Sequence, residues 1–534
     1  MNANILAIIL VALPAAAAAL LGFSLWGRKG LSETAYSRIT AAAFIGVIGS
    51  ALGLIAALVH YGPTQAVTLV GHWFEVGEYH FDWLLVADRL SIPFALFCGL
   101  LVGVIGAFSR RYLHREPGYF RFYFLLALFG AGVELVVMAG NLDLIFIGWE
   151  IVGLTSALLI AFFHERRRPV ENGFRAFVTY RLCDVGLLAA TVWTHHIVGS
   201  SQVVATSGPW GGFPVPQSSF DVTLIGLLLL WATMGKSAQV PLGGWLPRAM
   251  EGPTPSSAIF YGAISIHLGP YLLLRAAPIL EASTIVSVAV VAVGSITALH
   301  ATFVGRVQTD IKSALAYASM TQVGLIYVEI GLGLRYLALI HIVGHAALRS
   351  LQILRSPSLL HDHHHLEQAM GSVLPATGGH IERLIPQRLQ PWLYRHALER
   401  GYFDNILRDW VVGTFVRFFR ALWLEALHQP TVRAGRAFGL SEGAIFWRRL
   451  LPWAAGPIMT RLVFSVPMLI LGGSLVIETH FGIPGIGRVF YNAVLSGDQP
   501  VILAFVALAG SLVVVAQTLV DLMIRRIDPR TRDA

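Results

Sequence analysis

About eleven stretches, each long and apolar enough to cross a bilayer, succeed one another between Ile5 and Leu354. A spanning helix needs about 20 mostly apolar residues, and the runs near 5–26, 39–60, 90–108, 120–140, 142–163, 177–198, 222–241, 257–277, 284–304, 311–331 and 336–354 have that length. Two more follow near 453–477 and 500–524. The pattern predicts an all-α, polytopic transmembrane helix bundle of about 13 helices. Charged residues make up 13% of the chain, about half the share of a soluble domain, so much of the surface faces lipid rather than water.

The connections between the runs set an orientation. Arg28, Lys29 and Arg38 follow the first run, Arg110, Arg111, Arg115 and Arg121 the third, and Arg166, Arg167, Arg168 and Arg175 the fifth, whereas 61–88 and 199–221 contain no Lys or Arg. Basic residues collect on the cytoplasmic side, so the N-terminus is expected outside. The formal charge of +8 is explained by the same loops, and no basic-aromatic patch marks a nucleic-acid site. The first run lacks a basic n-region and reads as a retained helix rather than a cleaved signal. Residues 61–88 alternate polar and apolar (Val67, Leu69, Phe74, Val76, Tyr79, Phe81), which predicts a small external hairpin. Cys98 and Cys183 are far apart inside apolar runs and suit neither a disulfide framework nor a thiolate metal site.

Beyond Leu354 the chain turns polar and basic, with His361-Asp362-His363-His364-His365. That run can bind metal, but a solvated cytoplasmic loop is the reading preferred here. Arg525, Arg526, Arg530 and Arg532 place the C-terminus inside as well. Three segments are expected: 1–355 as the bundle, 356–421 as a cytoplasmic amphipathic segment suited to binding a partner, and 422–534 as a distinct C-terminal segment with two transmembrane helices.

A charge at mid-membrane costs at least about 2.5–3.5 kcal/mol, and this chain carries several. Glu134 and Glu150 lie in the fourth and fifth runs, Arg181 and Asp184 in the sixth, Lys236 in the seventh and His267 in the eighth. Lys312 opens the tenth run and Glu329 lies near its end, while His341, His345 and Arg349 recur every four residues on the eleventh and share one helix face. A single Glu–Lys pair serves helix packing as well as proton transfer, and a lone His in a membrane is more often a hydrogen-bonded packing residue. A series of Glu, Lys and His through successive helices suits a proton relay, because both Lys and His exchange protons when burial and neighbours bring their pKa values near physiological pH. Pro241, Gly243, Gly244 and the Gly252-Pro253-Thr254-Pro255 string predict broken helices whose freed backbone groups line a wet cavity.

At these positions the sequence resembles a known family. Gly148-Trp149-Glu150-Ile151-Val152-Gly153-Leu154, Gly235-Lys236-Ser237-Ala238-Gln239-Val240-Pro241-Leu242, Trp245-Leu246-Pro247 and Asp310-Ile311-Lys312-Ser313-Ala314-Leu315-Ala316-Tyr317 are similar to the proton-conducting antiporter-like subunits of respiratory complex I, over roughly residues 1–365. The resemblance implies proton translocation, with the family's Glu–Lys pair on Glu150 and Lys236, its sixth-helix Arg and Asp on Arg181 and Asp184, and its central His and Lys positions on His341, His345 and Arg349. Arg349 stands where the family has a switching Lys, and a guanidinium stays protonated. Tyr261 occupies the family's eighth-helix His position, with His267 two turns on. The later family helices are absent.

Ala258-Ile259-Phe260-Tyr261-Gly262-Ala263, His345-Ala346-Ala347-Leu348-Arg349-Ser350-Leu351 and the tail from Leu359 to Tyr402 resemble DabB, the membrane subunit of a bacterial inorganic-carbon pump, to about residue 420. That resemblance implies an inner-membrane transporter subunit rather than an enzyme. It implies proton influx that drives hydration of CO₂ to bicarbonate by a cytoplasmic DabA-type zinc partner resembling β-carbonic anhydrase, and no metal or cofactor in this chain. A subunit of an NADH:quinone oxidoreductase-like complex is the alternative, although no quinone, flavin, haem or Fe–S signature is present. From about Leu422, Arg433-Ala434-Gly435-Arg436-Ala437-Phe438-Gly439-Leu440-Ser441 and Phe481-Gly482-Ile483-Pro484-Gly485-Ile486-Gly487-Arg488 are similar to the end of a dipeptide/oligopeptide ABC permease. There the first string is a coupling helix, which makes Arg433, Arg436 and Gly439 candidates for ATPase docking in a fused chain. A peptide permease component is the third functional reading, and a packed two-helix anchor is the simpler role for this segment.

Overall fold

The computed structural model describes residues 3–26, 31–61, 65–76, 79–205, 208–371, 385–403 and 485–507, with single residues 437, 439, 511 and 518. The chain divides into two compact units, Met1–Phe74 with His80–Asp404, and Glu75–Tyr79 with Asn405–Ala534. In the first, α1 (Ala3–Trp26) and α2 (Glu33–Tyr61) precede β1 (Gln65–Val76) and β2 (Tyr79–Asp88), then α3 (Ser91–Tyr112), α4 (Tyr119–Met138), α5 (Leu142–Ile160), α6 (Arg167–Val198) and α7 (Ser219–Lys236). The two strands form the hairpin expected outside the bundle. Gly140 N donates to Leu84 O at 2.7 Å, which pins β2 to the connection between α4 and α5.

Local signals place the helix ends. Asn141 accepts from Leu144 N at 2.9 Å and starts α5, satisfying an otherwise unpaired first-turn N–H. Gly199 closes α6 in the left-handed region at φ 80°. At the α4–α5 crossing a Cβ on Gly148 would lie 2.7 Å from Gly132 O. Only glycine allows that approach, and it sets the position of the neighbouring Trp149 and Glu150.

After Lys236 the chain abandons long helix. It runs through a 3-10 turn (Leu242–Gly244), α8 (Trp245–Arg248), a second 3-10 turn (Ala249–Glu251), α9 (Thr254–Ser257), a π turn (Ala258–Ala263), a third 3-10 turn (Ser265–His267), α10 (Leu268–Arg275) and α11 (Ala277–Ala282). Pro241, Pro247, Pro253 and Pro255 remove backbone donors along this stretch, so the broken helices follow from the sequence. Within Thr254–Arg275 every residue whose burial is described is buried inside the protein, where irregular backbone at membrane depth is tolerated. Long helices resume with α12 (Thr284–Arg306), α13 (Ile311–Gly331) and α14 (Arg335–Met370), and α15 (Gln390–Leu398) follows.

Ten helical stretches among the described residues are long and apolar enough to cross a membrane, and the molecule is a multi-pass membrane helix bundle. α13 is 21 residues long but is not among the ten, because Lys312, Gln322, Glu329 and several hydroxyl side chains dilute its apolar character. It packs along α12 instead: a Cβ on Gly294 would lie 2.5 Å from Gly324 O, and one on Gly324 2.6 Å from Gly294 O. The expected run at 453–477 lies outside the described residues, and that at 500–524 is described as helix only to 507. Within the second unit α16 (Ile486–Ser496) ends at Gly497, and Phe490 stacks on Phe505 with ring centroids 4.1 Å apart.

Candidate functional site

The ionisable residues of α5, α6 and α7 form one group. Lys236, the last residue of α7, is fully buried. Its Nζ donates to Asp184 Oδ1 at 3.5 Å and lies 4.9 Å from the Trp149 ring centre and 4.7 Å from that of Tyr180. Trp149 Nε1 donates to the same Asp184 oxygen at 2.6 Å. Arg181 contacts Glu150 through Nη1, and its Nη2 lies 3.2 Å from Asp184 Oδ2, a charge contact without hydrogen-bond alignment. Among the described residues Glu150 and Lys236 make no ion pair with each other. Arg181 takes the glutamate, and Asp184 joins the arginine to the lysine. Two carboxylates and two cations therefore balance, as buried charge requires. Gly153 faces this group: a Cβ there would lie 2.9 Å from Lys236 Nζ.

A second group lies where the broken segment meets α13 and α14. His267 Nδ1 contacts Ala263 O, so that nitrogen carries the hydrogen. His267 Nε2 and His345 Nδ1 are 3.0 Å apart, and in the neutral pair His345 must then donate. His345 Nε2 has no hydrogen-bond partner among the described residues. His341, one turn away, is 2.8 Å from Glu329 Oε1 through Nδ1 and 3.0 Å from Gln322 Oε1 through Nε2. The His341 and His345 ring centres are 6.3 Å apart. Arg349 bonds Gln352 at 2.8 Å and is 7% exposed.

The two groups are stitched together by backbone. Ser237 Oγ donates to Ile266 O at 2.7 Å, which sets the residue after Lys236 against the residue before His267. Of the sequence-predicted residues, Glu150, Arg181, Asp184 and Lys236 meet in the first group and His267, His341, His345 and Arg349 in the second. Lys312 stands apart. It sits in the first turn of α13, about 25 Å along the axis from Glu329, and forms no ion pair among the described residues. Arg433 and Arg436 lie outside the described residues, and Gly439 is described only as a left-handed residue with φ 72°.

Sequence reasoning did not find Trp149, Tyr180 or Gly153 as the walls around Lys236. Trp149 and Gly153 were legible only as neighbours of Glu150 in a motif. It also passed over Asp88, which pairs with Arg275 at 2.5 and 3.2 Å; both are fully buried. This pair ties the end of the hairpin to α10. Burial raises the Asp88 carboxyl, but Arg275 and the N–H groups of Ser91 and Leu90 outweigh it and hold the group below its ordinary range. Glu134 is fully buried, with neither carboxyl oxygen partnered among the described residues.

Residues 139–372 match the family model described as NADH:quinone oxidoreductase/Mrp antiporter, transmembrane region, and residues 73–123 match that of the complex I chain 5 N-terminus. Residues 410–533 match a binding-protein-dependent transport system inner membrane component. NADH-quinone oxidoreductase subunit L of Mycobacterium tuberculosis is 34% identical over 360 residues, 67% of this chain and 56% of that protein. NADH-ubiquinone oxidoreductase chain 5 of Cryptococcus neoformans is 32% identical over 296 residues, 55% of this chain and 44% of that protein. The chain thus spans about half the length of the curated relatives it matches. Among solved structures, a chain of the Mrp complex from Dietzia sp. DQ12-45-1b superposes with a TM-score of 0.55 at 25% identity, covering 66% of this chain and 37% of that one. A chain of an archaeal membrane-bound sulfane sulfur reductase shares the fold, with a TM-score of 0.53 at 18% identity, covering 65% of this chain and 70% of that one. Residues 73–123 and 139–372 thus resemble antiporter-like subunits of the complex I and Mrp type, in a multi-pass integral membrane protein.

Proposed function

We propose that this chain conducts protons across the membrane as one subunit of a larger membrane complex. One observation carries the reading: two ionisable groups with buried centres, Glu150–Arg181–Asp184–Lys236 and His267–His345–His341–Glu329, are joined through Ser237 and Ile266. Loss of the Lys236 proton leaves one uncompensated carboxylate in a buried site, which draws in the next proton. The imidazole pair takes up a proton at the unpartnered Nε2 of His345 while the Nδ1–H of the same ring faces His267. Each ring thus accepts on one side and donates on the other. Arg349 supplies fixed positive charge beside this pair rather than a transferable proton.

The finer reading is an inorganic-carbon pump, in which proton influx is coupled to CO₂ hydration by a DabA-type zinc protein bound on the cytoplasmic face. The DabB-like tail and Arg349 in place of a lysine support it. The relatives named as NADH-quinone oxidoreductase subunits support a second reading, a subunit of a redox-driven proton pump. The match over residues 410–533 favours a membrane anchor derived from a permease, with ATPase docking through Arg433, Arg436 and Gly439 as its functional alternative.

Conduction is tested with the full chain, with co-purified partners, in liposomes carrying an internal pH dye. A proton flux reduced at least tenfold by Lys236→Ala and by Glu150→Gln is expected. Wild-type flux in both variants would refute conduction by this route. The finer reading is tested by whether co-expression with a DabA-type protein restores growth in air to cells lacking carbonic anhydrase. Co-purification of NADH-oxidising subunits instead would favour the redox reading. An ATPase captured by the wild type and lost on Gly439→Glu would establish docking.

A further inference from the structure

We infer that Asp143, His195 and Ser201 form a second titratable site, at the hairpin-side ends of α5 and α6, where the relay exchanges protons with the solution on that side. This rests on the conduction reading above. Asp143 lies in the first turn of α5 and His195 in the last turn of α6. His195 Nε2 is 2.9 Å from Asp143 Oδ2, and Ser201 Oγ donates to the same oxygen at 2.9 Å and lies 3.1 Å from Nε2. His195 is 7% exposed.

A buried Asp–His bond also ties two helix ends together, but two observations go beyond that role. The first is helical phase. Asp143 precedes Glu150 by seven residues on α5, and His195 follows Asp184 by eleven on α6. Each spacing is within about 20° of whole turns, so both members of the site lie on the faces that carry the Lys236 group, about 10 and 16 Å further along the axes. The second is a series of polar groups that reaches solvent. Gln202, next to Ser201, donates to Asp82 Oδ2 at 3.2 Å, and Asp82 Oδ1 is 2.6 Å from His72 Nδ1. The His72 side chain is 72% exposed and that of Asp82 12%. Polar groups thus run from the exposed His72 imidazole past the Asp82 carboxylate to Asp143, 15% exposed, and the buried His195 ring.

The titratable and charged groups at this end include Asp143 on α5, His195 and His196 on α6, Asp221 in the first turn of α7, His72 on β1, Asp82 and Asp88 on β2, Arg89 after it, and Arg275, which pairs with Asp88. The hairpin (61–88) and the loop after α6 (199–221) contain no Lys or Arg, so no fixed cation from either competes for Asp143. An imidazole is the side chain suited to trading protons with neutral solution. Uptake converts His195 to an imidazolium paired with the Asp143 carboxylate. Release inward breaks the same N–H bond and returns the neutral ring, with the proton passing to an inward acceptor.

The test uses the full chain with its partners in vesicles of one orientation. The pH on the hairpin side is varied while the other side is held fixed. Wild-type flux is expected to follow a single-proton titration of the hairpin side. His195→Asn and Asp143→Asn are expected to flatten that dependence and slow the flux about a hundredfold or more, the low edge of what a positioned proton carrier contributes. Their response to pH on the opposite side stays unchanged. Either variant keeping the wild-type hairpin-side profile, while Lys236→Ala remains blocked, overturns this site and leaves conduction standing. Wild-type flux in Lys236→Ala overturns conduction itself. Because a variant can fail to assemble, nitrogen NMR of histidine-labelled wild type supplies an independent reading. The His195 ring is expected to change protonation with hairpin-side pH. A ring that titrates only with the opposite side, or not at all, also overturns the site.

Discussion

Replacing Asp184 with asparagine removes one of two negative charges from a buried group whose formal charges otherwise balance. Lys236 is fully buried and Asp184 is 3% exposed, so after the change the ammonium keeps two aromatic faces and no carboxylate partner. Breaking a buried pair from one side costs about 3–5 kcal/mol. Arg181 keeps Glu150 as its partner, so the cost falls on the lysine. Asparagine still accepts from Trp149, so shape and that hydrogen bond survive. Adding Lys236→Met restores the balance between Glu150 and Arg181, and the double variant is expected to regain about 2–3 kcal/mol, within the range seen for residues in direct contact. Denaturant or thermal unfolding of the solubilised protein gives the four stabilities of the cycle, and vesicle flux gives the four rates. Stability is expected to return in the double variant while conduction does not. Additive stabilities, or a single Asp184→Asn variant as stable and as conductive as wild type, would refute the assignment of Asp184 as the counter-charge of Lys236.

Further outcomes follow from the same geometry. Gly153→Ala places a methyl 2.9 Å from Lys236 Nζ. The lysine end is flexible, so unfolding should change by less than about 1 kcal/mol while flux falls about tenfold or more; unchanged flux would show that the ammonium position is not critical. His345→Phe fills the ring volume but breaks the bond to His267 at 3.0 Å, and proton flux is expected to fall by at least tenfold with the His341–Glu329 contact intact. Asp88 titrates below its ordinary range when folded, so the Asp88–Arg275 pair stabilises fully above about pH 4 and loses its contribution as pH falls through the lower folded value. Acid unfolding should therefore flatten over that window in Asp88→Asn, and an unaltered acid profile would show that the pair carries no such linkage.

The bundle was legible because spanning length and loop charge are written residue by residue, as in Arg166 to Arg168 against the Lys- and Arg-free 199–221. The hairpin was legible from alternation, and the broken helices from Pro241, Pro253 and Pro255. The partnership within the site was not. The sequence names Glu150, Arg181, Asp184 and Lys236 as intramembrane charges, but only three-dimensional packing shows that Arg181 takes Glu150 and that Asp184 serves Lys236. Lys312 opens its run as read from the sequence and lies in the first turn of α13, but packing leaves it outside both groups. Asp143 was hidden by its place in the first turn of α5, where an acidic residue is ordinary helix chemistry. Its alignment with Glu150 gains meaning only once His195 is known to face it.

Water contact at the buried side chains tests the relay most directly. Water-edited nitrogen NMR of the wild-type protein in lipid bilayers reads it for the Lys236 ammonium and the His267 and His345 rings. Rapid magnetisation transfer from mobile water to all three is expected, as a continuous hydrated route requires. Transfer absent from Lys236 and from the histidine pair alike would mean separate dry pockets, and conduction through these residues would be wrong.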